Sequence, residues 1–77
     1  MLDQKTCKLI KSEIDKVMGK GFMDMENISR MQPIPTHTLR GGHTVLATQF
    51  SDITILVRIQ VSESFGVTVR SVKSVTL

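Results

Sequence analysis

The stretch Ile53-Thr54-Ile55-Leu56-Val57-Arg58-Ile59-Gln60-Val61 decides the fold. Its odd positions are all Ile or Val, and its even positions are Thr, Leu, Arg and Gln. A two-residue period with β-branched residues on one side predicts a strand with one buried face. Working outward, Ser51-Asp52 reads as a tight turn before it and 62–66 as a turn after it, with Gly66 able to take positive φ. Gly41-Gly42 reads as a two-residue hairpin loop. Four meander strands follow, over about 34–40, 43–50, 53–62 and 66–76. Pro35 suits an edge strand, since it has no N–H to give a ladder.

These turns predict a register. Phe50 faces Ile53, Thr48 faces Ile55, Leu46 faces Val57 and Thr44 faces Ile59; Val61 faces Val67 and Ile59 faces Val69. Leu39, Leu46, Phe50, Ile53, Ile55, Val57, Ile59, Val61, Val67 and Val69 then share one face. The opposite face gains Arg58 against Arg70, with Val45 beside Arg58, and Leu56 between Ala47 and Val72. Its other rows join Thr54 to Gln49 and Ser74, and Gln60 to Thr68 and His43. After Val69 the apolar phase shifts, which a bulge near Arg70 or Ser71 would explain. Such a bulge would also move Arg70 relative to Arg58.

Ahead of the strands, Asp3 suits an N-cap and Gly19 with Gly21 a stop, so a helix is expected over about 4–18. Cys7, Ile10, Ile14, Val17 and Met18 form its apolar stripe. Leu9 lies opposite, flanked by Lys5, Lys16 and Lys20. The connector 21–35 carries Phe22, Met23, Met25, Ile28 and Met31 and is expected against the core. Asp24 would cap one short helical turn within it. Gln32-Pro33-Ile34-Pro35 is expected to be extended, because each proline pushes its predecessor out of the α region. The expected fold class is α+β: residues 1–77 form one domain, a helix packed on a four-stranded antiparallel meander.

One helix before such a meander resembles the cystatin-type arrangement in outline. The Gln-x-Val-x-Gly inhibitory hairpin of cystatins does not occur here, so the resemblance implies architecture and no activity.

Composition narrows the function classes. The chain has 77 residues, so its core is modest and a partner or second copy would add stability. Ten Lys and Arg against seven Asp and Glu leave a net charge of +3 without runs of like charge. That balance allows nucleic acid without requiring it. Three Phe and no Trp or Tyr argue against a base-stacking platform. A single cysteine forms no internal disulfide, which points to a reducing cytoplasm. Neither a secretory signal nor a membrane span is expected. Asn27-Ile28-Ser29 is then a chance match to a glycosylation sequon.

Residues bearing chemistry are sparse. Cys7, His37 and His43 are the candidate soft metal ligands, but His37 and His43 point to opposite faces, so no metal or cofactor is expected. Cys7 falls in the buried helix stripe, where a thiol is inert. Asp3, Glu13, Asp15, Asp24, Glu26, Asp52 and Glu63 are dispersed. His43, Arg58 and Arg70 share a face, which keeps open a small ribonuclease-like toxin. Arg40-Gly41-Gly42 reads as a turn, and the Met cluster as core.

Two surfaces remain as candidate partner sites. The sheet face holds Val45, Ala47, Leu56, Arg58, Arg70 and Val72; the helix face holds Lys5, Leu9, Lys16 and Lys20. The expected function is non-enzymatic: a protein-binding module that inhibits or adapts a partner protein, with homodimerisation through the sheet face or the last strand's edge. Nucleic-acid binding through Arg58, Arg70 and Lys73 is the alternative.

Overall fold

A computed structural model describes residues 3–34, 42–64 and 66–76. Helix α1 (Gln4–Met18) and a short helix α2 (Met25–Ser29) precede strands β1 (Gln32–Pro33), β2 (His43–Phe50), β3 (Ile53–Ser62) and β4 (Gly66–Thr76). The sheet is antiparallel with order β1-β2-β3-β4, and both helices lie on one face of it. The architecture is the expected α+β class.

Local chemistry accounts for each boundary. The Thr6 N–H donates to Asp3 Oδ1 at 2.8 Å, satisfying one of the unpaired donors of the first turn. At the other end Gly19 takes φ 106°, a value that favours glycine, and its N–H donates to the Asp15 carbonyl. Asp24 caps α2 by accepting from the Asn27 N–H at 2.9 Å. The Ser51-Asp52 loop is held by Ser51 at φ 60°, the left-handed sign that two-residue hairpins require.

The core joins the three layers of sequence. Cys7, Ile10 and Ile14 come from α1. Met23, Ile28 and Met31 come from the connector and α2. Leu46, Ile55, Val57 and Ile59 come from β2 and β3. Ile55 and Val57 are fully buried, and each such aliphatic side chain stabilises the fold by about 1.5–3 kcal/mol. Phe22 packs against Phe50 with ring centroids 5.2 Å apart, closing one end of the cluster. Val17 and Val61, expected inside, are 56% and 51% exposed. Val17 is in the last turn of α1 and Val61 near the end of β3, and neither joins the packed cluster.

The β2–β3 register matches the expected one at every pair, from Phe50↔Ile53 to Thr44↔Ile59. The β3–β4 register matches at Val61↔Val67 and Ile59↔Val69, then shifts. Arg58 pairs with Ser71, so Arg70 is the extra residue of a bulge. Three expected pairs are corrected: Arg58 against Arg70, Leu56 against Val72, and Thr54 against Ser74. Leu56 instead meets Lys73, Thr54 meets Val75, and Val72 crosses to the inner face opposite Val57.

The first strand also differs. Gln32 and Pro33 pair with Ala47 and Leu46, and the Ile34 N–H donates to the Val45 carbonyl at 2.9 Å. Pro33 is tolerated there because its missing N–H falls on the open edge. Residues 35–41 and Phe65 lie outside the described residues. With them go most of the strand expected at 34–40, the core position of Leu39, the edge role of Pro35, His37, the Arg40-Gly41 part of the Arg-Gly-Gly turn, and the pairing that tests a Gly41-Gly42 loop.

Gly42 has φ 78°, and a Cβ there would collide with the Val61 carbonyl oxygen. Gly42→Ala is expected to cost about 1–3 kcal/mol through a strained backbone and a displaced β3 end. Urea denaturation checks this; an unchanged midpoint would contradict it.

Hydrogen bonding from the Thr6 side chain, then from its backbone N–H, lowers the Asp3 pKa below the ordinary 3.8. A depressed folded value means the ionised cap stabilises the fold above pH 3.8, and this contribution is lost as pH falls through the folded value. Asp3→Asn keeps a good cap without the charge. Its deficit in urea midpoint against the parent chain is therefore expected at neutral pH and should close in the acid range. A deficit independent of pH would contradict this.

Candidate functional site

The sheet has two unlike faces, and the helices cover one. On the outer face, alternation along β2 places His43, Val45, Ala47 and Gln49, and along β3 Thr54, Leu56, Arg58, Gln60 and Ser62. From β4 come Thr68, Arg70, Ser71, Lys73 and Val75. The bulge puts Arg70 and Ser71 on the same side. Arg70 confirms it, donating from Nε and Nη2 to Gln60 Oε1 at 2.9 and 2.6 Å.

Of the sheet-face residues expected from sequence, Val45, Ala47, Leu56, Arg58 and Arg70 lie together. Val72 does not. It packs partly buried against the core, and Lys73 takes the place beside Leu56. Lys73 was missed as a neighbour of Leu56 because the extra residue at Arg70 reverses the alternation beyond it; the phase shift after Val69 was the available signal.

Leu56 is half-buried although neither α1 nor α2 covers it. Ala47 and Lys73 flank it directly, and Val45 and Val75 lie diagonally. Val75 is 44% exposed. An apolar diagonal thus crosses the three main strands, bordered by Arg58 and Lys73, with Arg70 farther along the same face beside Gln60. All seven carboxylates of the chain lie elsewhere, on the helices, at their caps or in turns. The outer face is therefore apolar at its centre and cationic without internal compensation. The Phe22–Phe50 pair belongs to the inner side, so among the described residues the outer face has no Phe, Tyr or Trp ring on which a base could stack.

The second candidate surface is different. Lys5 and Leu9 are exposed on α1, Leu9 at 40%. Lys16 lies 3.3 Å from Glu13 and is partly neutralised. Lys20 is not on the helix, which ends at Met18. Lys8, exposed on α1, is an unexpected addition. This face points away from the sheet, so the two surfaces cannot meet one flat partner together.

Other chemistry is thin. Among the described residues no three His, Cys, Asp or Glu side chains gather where they could hold a metal ion. Burial, and secondarily the Asp3 charge, push the Cys7 thiol pKa up, which disfavours the reactive thiolate. His43 lies at the far end of the outer face beside Gln60, with its Nδ1 buried and without a hydrogen-bond partner. No carboxylate on that face orients it. An open depression beside α2 is bordered by Glu26, Arg30 and Pro33, but Arg30 is already paired with Glu26 at 2.6 Å. Among the described residues no helix is long and apolar enough to cross a membrane.

Comparison of the chain with family models, with curated proteins and with solved structures finds no match.

Proposed function

We propose that the chain is a non-enzymatic binding module whose uncovered sheet face docks on a partner protein and thereby inhibits or adapts it. The observation that supports this reading is the outer face itself: Leu56 at the centre of an apolar diagonal, with Arg58 and Lys73 beside it, Arg70 farther along the same face, and no acid side chain among them. An aliphatic anchor inside a cationic border fits a protein surface that offers apolar groups within an acidic rim. Charge complementarity would steer the encounter, and the desolvated leucine would supply much of the affinity. Nucleic acid fits less well, since phosphates reward the cations but leave Leu56, Val45 and Val75 unused. We place the protein in the cytoplasm, where its single cysteine stays reduced.

Leu56→Glu and Arg58→Glu test this reading. Both positions lie on the outer face, away from the buried cluster, so both variants should keep the circular dichroism spectrum and unfolding midpoint of the parent. Partners copurified from the native cell after nuclease treatment should be lost with either variant. Retention of the same partners by both would contradict the proposal. A complex that vanishes with nuclease, together with a salt-sensitive mobility shift, would favour nucleic acid instead.

A further inference from the structure

We propose that the last five described residues of β4 pair, antiparallel, with the same segment of a second copy of this chain, about a two-fold axis at Ser74. The inference is independent of the docking role assigned above to the outer face. Among the described residues β4 is the outermost strand and spans 11 residues, and no described strand pairs with its outer side, which leaves an open ladder edge.

Peptide groups along an antiparallel strand face alternate neighbours. The Val61 N–H donates to the Gly42 carbonyl, which assigns Val61, Ile59, Val57, Ile55 and Ile53 to the β2 side. Thr54 and Leu56 therefore face β4, and so do their partners Val75 and Lys73 face β3. Val72, Ser74 and Thr76 are left with their N–H and C=O groups pointing to the open edge.

Cover on the inner face ends at the same place. Val67, Val69 and Val72 are partly buried against the core, whereas Ser74 and Thr76 of the same inner row are exposed. The helical layer stops short of this end of β4. A two-fold axis at Ser74 then joins the two copies at the uncovered ends of their β4 strands.

Charge selects the register. An axis at Ser74 joins Val72 to Thr76 of the second copy, Ser74 to Ser74, and Lys73 to Val75. An axis at Lys73 would set two lysines face to face, which is unfavourable. An axis at Val75 would pair only three of the described residues, Ser74, Val75 and Thr76. The paired segment runs from Val72 to Thr76, so the Arg70-Ser71 bulge of each copy lies outside it and the two arginines stand at opposite ends of the ladder. The product is a continuous eight-stranded sheet with two outer faces on one side.

Sedimentation equilibrium of the full chain over a dilution series tests this, with three variants. The parent chain should pass from monomer to dimer as concentration rises. Ser74→Pro removes an edge-facing donor while sparing the β3 ladder, so it should give a folded monomer. Val75→Lys puts a second cation opposite Lys73 twice and should weaken the dimer about tenfold. Val75→Glu creates two symmetric Lys–Glu pairs and should tighten it in a salt-sensitive way. A parent chain that stays monomeric throughout would overturn the proposal. So would equal dimer constants for Val75→Lys and Val75→Glu, a comparison that holds whatever Ser74→Pro does to folding.

Discussion

Burial of Ile55, Val57 and Ile59 is the constraint on which the rest depends. These three side chains sit on β3, which hydrogen-bonds to β2 on one side and β4 on the other. A slip of one residue would carry all three into water and bring Leu56, Arg58 and Gln60 beneath the helices. Burying an arginine without a carboxylate partner costs several kcal/mol, so the wrong phase is doubly penalised. The phase of β3 therefore sets which side chains of β2 and β4 are available on the surface. The functional face is a consequence of the core.

Most of this was legible in the sequence where the relevant signal is local. Asp3 and Gly19 bound α1 because caps act within one turn. The β2–β3 pairs follow from a two-residue loop, which leaves no freedom in the count. β4 was harder. A bulge adds one residue, and composition alone does not say whether Arg70 or Ser71 is the extra one. The consequence is large: Val72 turns inward and Lys73 outward. Val17 and Val61 were misplaced for another reason, since periodicity reports a direction but not how far the opposing layer extends. The brief β1 at Gln32–Pro33 was hidden by its two residues, too few for any period.

The candidate site was legible as a pattern and not as a role. Alternation placed Val45, Ala47, Leu56 and Arg58 together, and those positions hold. Their meaning depends on what the described residues withhold from that face, namely every acidic side chain and both helices. A solvated outer face usually mixes charges of both signs. Here Arg58 and Lys73 flank an aliphatic diagonal, and Arg70, farther along the same face, is held in place by Gln60 rather than by an acid.

The sorting of side chains by the β4 bulge is tested most directly by cross-strand contacts between α-protons in solution NMR. Facing residues that do not exchange hydrogen bonds bring these protons closest. Strong contacts should join Val57 to Val72 and Ile55 to Ser74. Contacts joining Val57 to Ser71 and Ile55 to Lys73 would mean an unbulged ladder. Val72 would then lie outside, Lys73 inside, and the cationic border around Leu56 would not exist.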